Sequence, residues 1–202
     1  MTKIKFCGLT RVEDIKIANE IFPEFIGFVF AKKSRRYITT EKAAELKKIL
    51  RREIFSVGVF VDEKIEIVAD LAKKNIFDLI QLHGAEDENY ISELKNFTDK
   101  KIIKAVQIKN ADDLKLAENF SSDFILLDSG AGTGKKFDWE ILKNFHQKYF
   151  LAGGLNPENI SNAIKILNPF AVDVSSGIET DGVKDAEKMK KFIEKVRSEN
   201  FL

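Results

Sequence analysis

Lys3-Ile4-Lys5-Phe6-Cys7-Gly8-Leu9-Thr10-Arg11-Val12-Glu13-Asp14-Ile15 opens with a short apolar run, turns at a glycine, and enters an amphipathic segment. A strand that feeds a helix in this way is the half-unit of a βαβ crossover. Working outward, the same couplet recurs to the end of the chain. The strand-like runs are Ile4–Cys7, Phe25–Phe30, Phe55–Val61, Phe77–Leu82, Ile102–Gln107, Phe124–Asp128, Tyr149–Ala152 and Ala171–Val174. Most are nearly continuous in Val, Ile, Leu and Phe, which suits strands buried on both faces of a parallel sheet.

Between them the apolar spacing becomes helical. Val12, Ile15, Ala18 and Ile21 fall about one turn apart in 11–21. Segments 40–52, 64–75, 87–97, 111–120, 138–146, 157–167 and 185–199 follow the same rule. Thr10 and Glu13 have capping-box spacing, and Asn156-Pro157 pairs a capping side chain with a proline at a first helical position. No Pro, Gly or Ser linker divides the chain. Eight units in 202 residues, about 25 residues each, predict an α/β protein with one domain over residues 1–202. A doubly wound open sheet is the alternative, but regular units favour a closed (β/α)8 TIM barrel with no sheet edge.

Composition narrows the function. A net charge of +1 offers no field to recruit nucleic acid or an anionic membrane. One cysteine cannot form an internal disulfide, two histidines cannot build a His-rich metal site, and no metal is expected. Lys3 and Lys5 interrupt any signal-peptide run, and no stretch approaches the roughly 18 apolar residues of a membrane span. The expected setting is the cytoplasm, and the expected partner is a small molecule.

In a barrel of this kind ligands bind at the strand C-termini. Cys7 ends the first run. A lone cysteine is commonly a small buried hydrophobe, but a strand end followed by glycine places a thiol for chemistry. Nearby Lys or Arg charge would help it ionise. Asp128 ends Phe124-Ile125-Leu126-Leu127 and reads equally as an acid–base group or a loop cap. Partial burial would raise its pKa and keep it protonated. Gly153-Gly154 and Ser175-Ser176-Gly177 follow the seventh and eighth runs, where barrels often seat phosphate on backbone N–H groups. Asp173 lies just before the second of these. Arg36 closes the basic run Lys32–Arg36, which is solvated loop or a clamp for a carboxylate. His83 after the fourth run reads as a site residue or a packed neutral ring. Ser129–Lys136 fails as a P-loop, with Ser129 and Lys136 at the deciding positions, and is expected to be a mobile loop over the mouth.

Taken together, these segments resemble the phosphoribosylanthranilate isomerase family. The resemblance rests on Lys5-Phe6-Cys7-Gly8-Leu9-Thr10, Ser34-Arg35-Arg36-Tyr37, Gln81-Leu82-His83-Gly84, Leu127-Asp128, Gly132-Thr133-Gly134-Lys135, Leu151-Ala152-Gly153-Gly154-Leu155-Asn156-Pro157-Glu158-Asn159 and Val172-Asp173-Val174-Ser175-Ser176-Gly177-Ile178-Glu179. It implies an Amadori rearrangement of a phosphorylated aminoaldose in tryptophan biosynthesis, without a cofactor. It further implies Asp128 as general acid, Cys7 as thiolate base and Arg36 on the anthranilate carboxylate. His83, Gly153, Gly154, Asp173, Ser175, Ser176 and Gly177 complete the implied substrate contacts. Monomer and homodimer are both allowed. Phe6 stands where the family usually has an aliphatic residue.

Three rivals share parts of this pattern. The histidine-pathway aminoaldose isomerase typically has an aspartate base where Cys7 stands. A catalytically silent sugar-phosphate sensor would not need Cys7 and Asp128 together. A cysteine hydrolase would need a histidine beside the thiol, and the candidate, His83, belongs to a distant strand.

Overall fold

The computed structural model describes residues 1–130 and 139–199. Eight parallel strands close into a barrel in chain order: β1 (Lys3–Cys7), β2 (Phe25–Val29), β3 (Phe55–Phe60), β4 (Leu79–Leu82), β5 (Ile102–Gln107), β6 (Phe124–Asp128), β7 (Tyr149–Ala152) and β8 (Ala171–Val174). Closure is made by β1 on β8, with Lys5 opposite Asp173. Around it lie α1 (Val12–Ile21), α2 (Thr40–Ile49), α3 (Ile65–Lys73), α4 (Glu88–Leu94), α5 (Ala111–Glu118), α6 (Ile160–Leu167) and α7 (Ala186–Glu199).

The strand period of two sorts the core into two layers. Outward residues such as Ile4, Phe6, Ile26, Phe28, Ile80 and Leu82 pack under the helices. Phe6 meets Phe192 of α7 edge to face at 6.0 Å, which is what the aromatic ring at this position does. Inward residues such as Cys7, Val29, Val57, Leu126 and Phe150 fill the barrel.

Several expectations are corrected in detail. β4 begins at Leu79 rather than Phe77, because Asp78 turns its carboxylate onto the Ser56 N–H and hydroxyl at 2.7 and 2.9 Å. The expected helix over 138–146 is a 3-10 segment at Trp139–Asn144, with residue 138 outside the described residues. α1 starts one residue later than the Thr10 box requires. Its cap comes from Asp14, whose carboxylate accepts from the N–H groups of Thr10 and Arg11 at 3.0 Å each. Asn156 does cap its turn, accepting from the N–H of Glu158 and Asn159, though α6 proper begins at Ile160. After β8 the chain forms a small hairpin, β9 (Glu179–Thr180) and β10 (Val183–Lys184). Asp181 and Gly182 turn it with positive φ at both residues, the form that matches strand twist.

Candidate active site

At the C-terminal mouth the strand ends surround a cavity of about 410 Å³. Cys7, Arg36, His83, Asp128, Gly153, Gly154, Asp173, Ser175 and Ser176 all line it. Gly177 does not. A Cβ there would overlap the carbonyl oxygen of Leu155, so loop contact by itself requires a glycine here. A larger cavity, about 770 Å³, opens at the opposite face among Phe25, Phe55, Phe124 and Phe170, and none of the expected site residues lines it.

Cys7 sits inside the barrel at the top of β1, and Gly27 of β2 leaves room for its sulfur. Burial pushes the thiol above its ordinary pKa; the Lys5 and Lys184 ammonium groups oppose this, and Asp173 adds to it. The expected downward shift is therefore not the resting state, because desolvation outweighs the cations. Lys5, on the same face of β1, is fully buried and bonds Asp173 Oδ2 at 3.0 Å. Burial opposes its charge, yet Asp173 and Cys7 hold its pKa above the ordinary value.

Asp128 at the end of β6 also departs from expectation. Burial favours its neutral form, but the hydrogen bonds from His83 and the Gly130 N–H outweigh it, so its pKa is lowered. Gly130 donates to Oδ1 at 2.9 Å, and His83 Nε2 lies 3.3 Å from Oδ2. The carboxylate can only accept, which assigns the proton to Nε2 of the ring. Nδ1 then accepts from the Gln81 amide at 2.7 Å. His83 is thus joined to Asp128 in the site.

Arg36 is a clamp whose fork is already held. Its Nε and Nη2 bond the two Glu179 oxygens at 2.6 and 2.8 Å. The Nη1–Nη2 edge remains for a ligand. Gly8, at φ 80°, lets the Arg36 side chain lie across the turn, and a Cβ there would collide with it. Ser175 is less available than expected. Its hydroxyl donates to the Cys7 carbonyl at 2.9 Å and receives Lys184 Nζ at 3.3 Å. The expected mouth loop at Ser129–Lys136 lies outside the described residues from 131 onward.

Comparison with known proteins is decisive at this point. A family model described as N-(5'phosphoribosyl)anthranilate (PRA) isomerase matches residues 4–195. The chain belongs to this isomerase family. The Thermoanaerobacter sp. (strain X514) isomerase is 48% identical over 204 residues, covering 98% of each chain. Among solved structures, phosphoribosyl anthranilate isomerase from Thermotoga maritima superposes with a TM-score of 0.88 at 38% identity, covering 98% of this chain and 100% of that one. An isomerase solved with reduced 1-(o-carboxyphenylamino)-1-deoxyribulose 5-phosphate gives 0.86 at 37% identity, with the same coverages. The phosphoribosylanthranilate isomerase reading of the sequence therefore holds at the level of fold, enzyme class and pathway, and its rivals give way.

The sequence reading missed three charged residues that bond to the lining of this cavity: Lys5 to Asp173, Glu179 to Arg36 and Lys184 to Ser175. Lys5 carried a signal, since it lies two residues before Cys7 and so shares its face. Glu179 and Lys184 carried a weaker one, the Asp181-Gly182 turn that pairs them across β9 and β10. Among the described residues no group of three His, Cys, Asp or Glu side chains could hold a metal ion, and no helix is long and apolar enough to cross a membrane.

Proposed function

We propose that Cys7 and Asp128 are the base and acid by which this chain converts N-(5'-phosphoribosyl)anthranilate to 1-(2-carboxyphenylamino)-1-deoxyribulose 5-phosphate. The supporting observation is one cavity that gathers a thiol, a carboxyl, a half-held guanidinium and two Gly/Ser loops. The loops after β7 and β8 take the phosphate, and Arg36 takes the anthranilate carboxylate through its unheld edge. His83 orients Asp128, and Asp173 takes a sugar hydroxyl on Oδ1, a buried atom with no hydrogen-bond partner among the described residues. Gly177 serves this site through loop packing.

Substrate binding brings negative charge and excludes water, so Asp128 enters the reaction protonated despite its resting state. It gives its proton to the ribose ring oxygen. The C1–O bond breaks as the anthranilate nitrogen forms a C=N bond. Cys7, as thiolate, takes the C2 proton. The C2–H pair becomes the C1=C2 bond, and the iminium pair returns to nitrogen. C1 then gains a proton as the C2 hydroxyl loses one, leaving the ketone. Nitrogen is the electron sink throughout, so the scheme calls for no cofactor.

The test is an anthranilate-fluorescence assay with substrate generated in place. Cys7→Ser and Asp128→Asn should each lower turnover by roughly 10²- to 10⁴-fold while inorganic phosphate still binds. Full turnover by either variant rejects that residue's role.

The Thermotoga maritima relative is described as dimeric. We read this chain as a homodimer too, supported by the N-terminal-face cavity, where Phe25, Phe55, Phe124 and Phe170 lie among charged side chains, and by the half-exposed Phe55. Sedimentation equilibrium should return twice the chain mass, and a monomer at micromolar concentration rejects it. The lone cysteine suits a reducing cytoplasm as the setting.

A further inference from the structure

We infer that the Lys5 ammonium stabilises the Cys7 thiolate, and that Asp173 competes with the sulfur for that charge. The inference rests on the reading of Cys7 as the base, and makes Lys5 a positioning residue for it. A lysine with no exposed surface is costly unless its charge is matched. Lys5 bonds Asp173 Oδ2 across the β1–β8 seam, and Cys7 follows it by two residues on the same inward face of β1. Asp173 divides its own interactions. Oδ2 holds Lys5, whereas Oδ1 is buried without a partner among the described residues, in a side chain that lines the cavity.

The other neighbours of the sulfur leave this role to Lys5. Lys184 of β10 also favours the thiolate, but its Nζ is bound to Glu179 Oε1 at 2.6 Å and to the Ser175 carbonyl at 2.9 Å. β2 presents Gly27, which has no side chain, and Arg36 beyond it is held by Glu179. A donor reaching Asp173 Oδ1 draws negative charge away from Oδ2 and leaves more of the Lys5 charge to the sulfur. Site occupancy then favours ionisation: the thiol releases its proton to solvent, and the sulfur keeps the electron pair that later takes the C2 proton.

One cysteine in the chain makes the test specific. The pH dependence of iodoacetamide alkylation, followed by mass, reports the Cys7 thiolate alone. Midpoints rather than absolute rates are compared, so access to the mouth does not enter. Asp173→Asn keeps the side-chain shape and should lower the midpoint. Lys5→Met should raise it. If Lys5→Met does not fold because Asp173 is left unpaired, the double variant Lys5→Met/Asp173→Asn removes both charges. Its midpoint should lie about one pH unit above that of Asp173→Asn, tenfold in thiolate at fixed pH. Equal midpoints for these two variants reject the role of Lys5. An unchanged or raised midpoint in Asp173→Asn rejects the competition. Retained isomerase turnover in Cys7→Ser would instead remove the base assignment, and the alkylation result would stand apart from it.

Discussion

At the scale of single residues, the site is built from groups whose resting charge opposes the task proposed for them. Cys7 rests as a thiol and Asp128 as a carboxylate, each the reverse of the form the rearrangement consumes. The cause differs. Desolvation dominates at the sulfur, while His83 and the Gly130 N–H dominate at the carboxyl. For Asp128 this has a consequence for stability. A carboxyl whose pKa is lower folded than unfolded stabilises the fold above its unfolded value of about 3.9, and that contribution disappears as pH falls through the folded value. Asp128→Asn should therefore flatten the loss of thermal stability on acidification below about pH 4, read from Tm against pH. A slope identical to wild type would place the stabilised carboxylate elsewhere. Gly177 gives a second prediction at this scale. An added methyl must displace Leu155 in the facing loop, so Gly177→Ala should cost about 1–3 kcal/mol and weaken phosphate binding together. Urea denaturation and a phosphate titration measure the two effects.

At the scale of elements, the hairpin of β9 and β10 connects the parts of the mouth. Its Glu179 carries Arg35, Arg36 and Lys184, and Lys184 reaches back to Ser175, whose hydroxyl is bound to the Cys7 carbonyl. Glu179→Gln keeps the shape and removes the charge. It leaves Lys184 buried without its counter-ion and frees the Arg36 fork. The expected cost is about 3–5 kcal/mol, the usual result of breaking a buried pair, with KM rising more than kcat falls. An unchanged KM would mean that Arg36 orients itself. This hairpin is also where sequence reading fell short. The eight strands were readable because a doubly buried strand has to be apolar along its length. Cys7, Asp128 and the glycine loops were readable because barrel ligands bind at strand ends. A two-residue strand has no periodicity to detect, so Glu179 and Lys184 looked like loop. Lys5 shares the face of Cys7 by strand spacing, but its charge argues against an interior position, and closure against β8 supplies the Asp173 partner that permits one. Segment 138–146 had helical spacing but formed a 3-10 turn, a difference that apolar spacing over so short a stretch does not resolve.

At the scale of the whole molecule, closing the barrel separates two jobs along one axis. The mouth collects resting charges of the wrong form and a buried carboxylate oxygen with no partner among the described residues, both of which work against stability. The N-terminal face must then hold the strands together, and its polar contacts are of another kind. Asp78 shows this. Its carboxylate accepts from the Ser56 N–H and hydroxyl and pairs with Lys47, and thereby ties the start of β4 to β3 and to α2. Those bonds hold its pKa below the ordinary value although burial acts the other way, so its stabilising contribution is present above about pH 4 and lost in acid. Nothing in this cluster lines the mouth cavity. Asp78→Ala leaves the Ser56 N–H without its acceptor and should cost about 2 kcal/mol, the range for a hydrogen bond to a charged group. Because the strand ends at the mouth are held by the rest of the barrel, kcat and KM at 25 °C should stay within about twofold of wild type. A variant that keeps its Tm, or that loses turnover while still folded, would show that the two ends of the barrel are coupled more tightly than this division allows.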